Sequence, residues 1–280
     1  MPIITLLTDF GLKDPSVGSL KGKILTANRS ATIVDISHQI TPFNFMEAGY
    51  ALQSAYASFP KGTIHIIGVN AEREDETSHL VMEWENQFFI CADNGVLNAL
   101  VALKKPNQLY KINIHNRLNE NATDLDLFVT VANHIASDGK LNFVGEPVSD
   151  LSPQMELNLQ VNEEKTKIKG HVVYIDHFGN AVTNISKKVF NETIRARKFE
   201  IQFNKRTIRK IHSKYSDFPV TEKMALKDFE GNPLALFNEQ GFLEIAIFKG
   251  TTESFGSANS LLGLRFRDTV MIQFTNNESF

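Results

Sequence analysis

A chain of 280 residues can bury a sizeable core and is long enough for two domains. With 42% hydrophobic and 22% charged residues and a formal net charge of -3, it has an ordinary globular composition and no cationic surplus, so neither a nucleic acid nor a membrane surface is expected as a partner. A single cysteine, Cys91, excludes an internal disulfide framework; with no basic leader and no apolar run of membrane-spanning length, a soluble cytoplasmic protein is expected.

The first half alternates apolar strand-like runs with helical spacing. Ile3 to Leu7 predicts a strand and Val17 to Ala27 a helix whose apolar face carries Leu20, Ile24 and Leu25. Thr32 to Ile36 predicts a second strand, and Asn44 to Phe59 a helix with Phe45, Ala48, Leu52, Ala55 and Phe59 on one side. Strands follow at Thr63 to Val69 and Phe88 to Cys91. The turn signal Ala92-Asp93-Asn94-Gly95 then leads into a helix through Val96, Leu97 and Leu100, and Asp126 to Ser137 predicts one more. This alternation implies an α/β domain over residues 1–150 with a mostly parallel sheet covered on both sides.

A boundary is expected between Pro147 and Pro153. From Lys169 the pattern becomes strands without intervening helices: Lys169 to Ile175, Lys198 to Phe203, Leu234 to Phe237, Leu243 to Phe248 and Val270 to Phe274. Residues 165–280 are therefore expected to form a smaller antiparallel domain, a sandwich or barrel.

Two polar segments carry the functional signal. Asp176-His177-Phe178-Gly179-Asn180 sets a carboxylate, an aromatic face and a carboxamide within one short stretch, a combination able to hold an amine, stack on a flat base and read its hydrogen-bonding edge. Thr8-Asp9-Phe10-Gly11, with Asp14 and Ser16 close behind, lies where an apolar strand ends, the usual ligand position in open α/β sheets. A small-molecule site, for a nucleoside, is the reading. Asp9-Phe10-Gly11 matches the kinase magnesium motif only in letters, because no glycine-rich loop precedes it. No Gly-x-Gly-x-x-Gly follows the first strand, and no histidine spacing marks a metal site.

Several motifs in the right order over nearly the whole chain resemble the S-adenosylmethionine (SAM) hydroxide adenosyltransferases, or SAM hydrolases, a family related to the SAM-dependent fluorinases and chlorinases. They are Thr8-Asp9-Phe10-Gly11 with Asp14, Lys21-Gly22, Asp35-Ile36-Ser37-His38 with Ile40, Pro42 and Phe43, Asp93-Asn94-Gly95, Asp176 to Asn180, and Gly241-Phe242-Leu243-Glu244-Ile245-Ala246. The resemblance implies an N-terminal α/β domain and a C-terminal β-barrel domain, a homotrimer with the ligand between subunits, and displacement at ribose C5′ of SAM with methionine leaving. SAM is then the substrate, and no separate cofactor or metal is implied. By the same resemblance, Asp9 accepts from the ribose hydroxyls, Ser16 and Asp176 hold the methionine amine, Phe178 and Asn180 meet adenine, and Phe43 lies near the ribose.

The positions that resemble the family's water-activating Asp, Arg and His are changed here to Asn70, Thr77 and Thr123. A carboxamide accepts no proton at neutral pH and a threonine has no fixed charge. Glu239 stands where the family places a donor for the methionine carboxylate, setting like charge beside it. Arg73, Asp75 or His79 is a candidate substitute in the run after the third strand, Asp124 a candidate displaced base, and Asp126 a helix cap. Adenosine-forming hydrolysis is the leading expectation. The alternatives are an inactive SAM or adenosine binder and a halide-using transferase.

Overall fold

The computed structural model describes residues 1–75, 77–101, 105–152, 157–251 and 253–275. The chain divides into two compact units, Met1–Met155 and Glu156–Phe280. Pro153, the far end of the expected boundary, lies outside the described residues.

In the first unit the elements run β1 (Ile3–Thr8), α1 (Ser16–Ala27), β2 (Thr32–Ser37), α2 (Phe45–Ala55), β3 (Ile64–Gly68), β4 (His79–Trp84), β5 (Gln87–Ala92), α3 (Asn98–Val101), β6 (Gln108–Ile112), α4 (Asp124–Ala136) and β7 (Gly145–Pro147). They form one sheet of order β2-β1-β3-β5-β4-β6-β7. Its two faces are filled by different helices: Leu20, Ile24, Phe128 and Val131 pack on one side with Ile4, Leu6 and Ile66, and Ala48, Leu52 and Leu97 on the other with Leu7, Ile67 and Phe89. Each large apolar side chain buried this way contributes about 1.5–3 kcal/mol.

The expected mostly parallel sheet is parallel in three pairings, β1 with β2, β1 with β3 and β3 with β5. Beyond β5 it is antiparallel, because β4 pairs antiparallel with β5, and β6 with β4 and β7 continue that pattern. The connection between β4 and β5 places Glu85 and Asn86 at φ 50° and 62°, a two-residue turn of the kind that matches strand twist. The expected Asn44 to Phe59 helix closes earlier, at Ala55, and continues as a 3-10 turn over Tyr56–Ser58.

A buried polar chain ties three adjacent strands. Gln87 on β5 donates its Nε2 to the Tyr56 and Phe59 carbonyls, so its Oε1 accepts from His65 Nε2 at 2.6 Å. His65 Nδ1 is then the acceptor and takes the Thr5 hydroxyl at 2.7 Å. Burial pushes the His65 imidazole down from 6.5 to about 4, with the Gln87 hydrogen bond opposing.

The second unit holds β8 (Gln160–Val161), β9 (Lys167–Ile175), β10 (Ala181–Ser186), α5 (Lys187–Ile194), β11 (Lys198–Phe203), β12 (Arg206–Ile208), β13 (Ile211–His212), β14 (Pro233–Phe237), β15 (Phe242–Ile247) and β16 (Thr269–Thr275). They build a nearly closed, barrel-like sheet of order β12-β11-β16-β9-β10-β15-β14-β13, with β8 on β9. All its pairings are antiparallel except β13 with β14. Strand β16 alternates buried and half-buried residues, so Val270, Ile272 and Phe274 fill the interior with Ile168, Ile201 and Ile245.

The reading of this half as strands without helices is corrected by α5. Ser186 accepts from the Val189 backbone N–H and caps it, and Phe190 turns into the core against Phe199 and Phe274. The basic cluster at Lys205 to Lys214 is a solvated hairpin and loop, where Arg209 pairs with Glu200 at 2.7 Å and Lys210 with Asp217 at 3.6 Å. Cys91 is buried, and burial pushes its thiol well up, with Asp93 adding to the effect. Among the described residues no helix is long and apolar enough to cross a membrane.

Candidate functional site

Strand β1 lies between β2 and β3, so the chain leaves it in one direction and returns past it in the other. The carboxyl ends of β1 and β3 therefore flank a topological switch point, where ligands of open α/β sheets bind. Asp9 follows β1 and Asn70 follows β3. The Asp9 Oδ2 accepts the backbone N–H of Phe43 at 2.9 Å and of Asn70 at 3.3 Å. Its Oδ1 makes no protein hydrogen bond among the described residues. Both donors sit in the left-handed region, Phe43 at φ 65° and Asn70 at φ 42°, and Phe43 is 71% exposed. Backbone strain of this kind is worth of order 1–3 kcal/mol per residue and persists where surrounding structure imposes it.

That imposition is visible in the other early motifs. The buried Thr8 hydroxyl meets His38 Nδ1 at 2.7 Å, and Gly11, at φ 66°, donates its N–H to the His38 carbonyl at 2.7 Å. Lys21 pairs with Asp35 at 2.6 Å, where burial would raise the Asp35 carboxyl but Lys21 and His38 together hold it low. Asn94 Nδ2 donates to the Val69 and Asn70 carbonyls at 3.0 and 3.2 Å, fixing the segment whose amide reaches Asp9. His38 and Asn94 thus brace the segments around Asp9, and Asp35 joins Lys21 to His38.

The structure brings Asp9, Phe43 and Asn70 together but not the other candidates of the first unit. Ser16 is the exposed first residue of α1, its hydroxyl without a protein partner among the described residues. Thr77 lines a separate cleft of about 580 Å³ with Arg73, His79, Lys111 and His115. Thr123 caps α4: its hydroxyl accepts from the Asp126 N–H at 3.3 Å while its N–H donates to Asp126 Oδ2 at 2.8 Å, a complete capping box. The cap expected at Asp126 lies three residues earlier, at Thr123, because the helix begins at Asp124, and Asp126 is its partner in the capping box. Burial alone would raise its carboxyl, but Lys23 at 2.6 Å and the Thr123 hydrogen bonds hold it low.

Three groups proposed as substitutes converge on that cleft. His79 is fully buried; its Nε2 donates to the Ala71 carbonyl at 2.9 Å, which leaves Nδ1 as an acceptor 3.1 Å from His115 Nε2 and 3.9 Å from Asp124 Oδ1. Asp124 Oδ2 accepts the Arg73 backbone N–H at 3.0 Å. Burial pushes both imidazoles down; for His79 the Ala71 carbonyl and Asp124 oppose and Arg73 reinforces, and for His115 Arg73 and His79 reinforce. His115 was absent from the sequence reading, since 36 positions separate it from His79 and no spacing rule joins them.

In the second unit, Asp176 to Asn180 form the turn between β9 and β10, with Gly179 at φ 80°. Asn180 donates its backbone N–H to Asp176 Oδ1 at 2.8 Å and its Nδ2 to Oδ2 at 2.9 Å, so the carboxamide Oδ1 faces away from that bond, with no hydrogen bond to it among the described residues. Asp176, Phe178 and Asn180 line one cavity of about 370 Å³ with Tyr215 and Phe248, and Phe178 is 57% exposed. Behind it, Tyr215 donates its hydroxyl to the buried Glu244, and Asn238 Nδ2 lies 3.4 Å from the other oxygen. Burial pushes the Glu244 carboxyl up and the Asp176 charge adds to this, against both hydrogen bonds. Glu239 is exposed in the turn before β15 and does not line this cavity.

An open α/β sheet with a carboxylate at its switch point, and a barrel-like unit with a cavity beside an exposed ring, are the two features to set against known proteins. The SAM hydroxide adenosyltransferase N-terminal domain model matches residues 4–145 and the corresponding C-terminal domain model matches residues 170–271. The chain is 28% identical to the (R)-S-adenosyl-L-methionine hydrolase of Methanocaldococcus jannaschii, over 97% of this chain and 96% of that one. It is 22% identical to a fluorinase of an Actinoplanes species, over 88% and 90%. A solved structure of a conserved protein from Thermotoga maritima superposes with a TM-score of 0.80 at 27% identity, covering 96% of this chain and 99% of that one. The chain belongs to the SAM hydroxide adenosyltransferase family.

Proposed function

We propose that the chain hydrolyses SAM to adenosine and methionine. Water or hydroxide attacks ribose C5′ from the side opposite the sulfonium. The new C5′–O bond forms as C5′–S breaks, the electron pair leaves with the methionine sulfur, and the proton of the attacking water is released. A sulfonium needs no general acid to leave, so the work of the protein is orientation and partial desolvation of the nucleophile.

The observation that carries this reading is the presentation of Asp9 at the β1–β3 switch point by two backbone amides in a chain matched by both family domains. In this reading Asp9 Oδ1 accepts from the ribose hydroxyls and Phe43 covers the sugar. Phe178 stacks on adenine, the Asn180 Oδ1 accepts from the adenine amino group, and Ser16 with Asp176 holds the methionine amine. Asn70, Thr77 and Thr123 occupy the family's activating positions, and Glu239 the carboxylate end. Homotrimers with the ligand between subunits complete the proposal.

A second reading, an inactive SAM or adenosine binder, is favoured by one observation: the Thr123 hydroxyl is committed to its helix cap. Purified chain incubated with SAM, with product nucleosides separated by chromatography, decides between them. Hydrolysis predicts equal adenosine and methionine above the buffer control, and no 5′-halogenated nucleoside when chloride or fluoride is added. Adenosine no faster than buffer would contradict it.

A further inference from the structure

We propose that His79, His115 and Asp124 form a site for one divalent transition-metal ion of the zinc class. One donor atom from each, His79 Nδ1, His115 Nε2 and an Asp124 carboxylate oxygen, lies within 4.8 Å of the other two. The two nitrogens are 3.1 Å apart, and His79 Nδ1 is 3.9 Å from Asp124 Oδ1. A tetrahedral ion with bonds near 2.0–2.1 Å holds its donor atoms about 3.3 Å apart, so small side-chain movements close the site.

The groups that hold the donor side chains support the same assignment. A metal-bound imidazole commonly donates its other N–H to a carbonyl, which fixes the tautomer and aims the free lone pair. His79 does this through Nε2 and the Ala71 carbonyl. The ring is held from behind by Phe128, edge on at 4.8 Å, in the packed face of α4. Asp124 is held by the Arg73 amide through Oδ2, leaving Oδ1 toward His79.

Two imidazoles and a carboxylate leave a fourth position, and both imidazoles line the cleft of about 580 Å³, which gives an ion and a fourth ligand a way in. The nearby charge of Arg73 opposes a cation here, while Asp124 and the exposed Glu74 and Asp75 at the cleft favour one. Carbonyl-rich hard-cation sites look different: two imidazoles select a borderline ion over magnesium or calcium.

The test is a titration of the untagged, chelator-treated chain with cobalt(II), read by visible d–d absorption and repeated with zinc as competitor. The expected result is a band saturating at one ion per chain and lost to zinc. His115→Ala and Asp124→Asn should each weaken binding on the order of 10–100-fold or more. His134→Ala, on the exposed side of α4, should leave it unchanged. No band at stoichiometric cobalt, or a band that persists at full affinity in both His115→Ala and Asp124→Asn, would overturn the site and leave a hydrogen-bonded histidine pair. Asp124→Asn, at a helix N-terminus, keeps the test valid should His115→Ala fail to fold. No SAM is present in this titration, so its failure says nothing against hydrolysis.

Discussion

Asp9 shows how backbone amides fix the orientation of a single carboxylate. Two amides converge on one of its oxygens, each from a residue held at positive φ, so the side chain has one orientation and its Oδ1 is presented. If Oδ1 accepts from ribose hydroxyls, Asp9→Ala removes a charged hydrogen-bond acceptor and strands its donors, a loss of about 1.5–3 kcal/mol. Calorimetry should then show adenosine binding weakened by roughly 10- to 100-fold; unchanged affinity would refute the assignment. In the second unit, Asn180 bonds to both Asp176 oxygens, once each. If Asp176 holds the methionine amine as proposed, the amine uses the remaining lone pairs and joins as a third partner.

At the scale of elements, α4 and the β1-β3-β5 ladder carry the sharpest consequences. Thr123→Ala removes the α4 cap and should cost about 1 kcal/mol, read as a lower denaturant midpoint with unchanged slope, and Thr123→Ser should restore most of it. No change in Thr123→Ala would show the cap to be silent. His65 couples β1, β3 and β5 to pH. Its pKa in the fold, about 4, lies below the unfolded value near 6.5. The unfolded chain therefore takes up the proton first as pH falls. The stabilisation is complete above pH 6.5 and is lost as pH drops toward 4, by about 3 kcal/mol in total. His79 and His115, also pushed down, act in the same direction. His65→Gln should flatten the fall in urea midpoint between pH 7 and 4.5; a slope equal to that of the parent chain would contradict the account. Long periodic elements such as α1 and α4 were readable from residue spacing. Strand β4 was not, because its residues run His79-Leu-Val-Met-Glu-Trp without alternation and its pairing depends on a turn with Glu85 in the left-handed region. Helix α5 was missed because eight residues show too few turns for a period to stand out.

For the whole molecule, the motifs that mark the family divide into those proposed to meet SAM and those whose side chains bond to other parts of the chain. Spacing alone cannot separate the two. Lys21, Asp35, His38 and Asn94 belong to the family motifs, and in the fold their side chains bond to other residues of the chain. Thr8-Asp9 and the Asp176 to Asn180 turn stood out in the sequence because their polar groups are gathered within a few residues. The His79, His115 and Asp124 cluster was only half legible: His79 and Asp124 stood in suspicious segments, but His115 joins them through the pairing of β4 with β6, which brings Leu80 opposite Lys111. The account as a whole turns on a nucleophilic oxygen arriving at ribose C5′. The most direct measurement is turnover of SAM by the purified chain in water enriched in heavy oxygen, with mass spectrometry of both products. The account predicts the label in the 5′-hydroxyl of adenosine and none in methionine; absence of adenosine, or adenosine formed without the label, would contradict it.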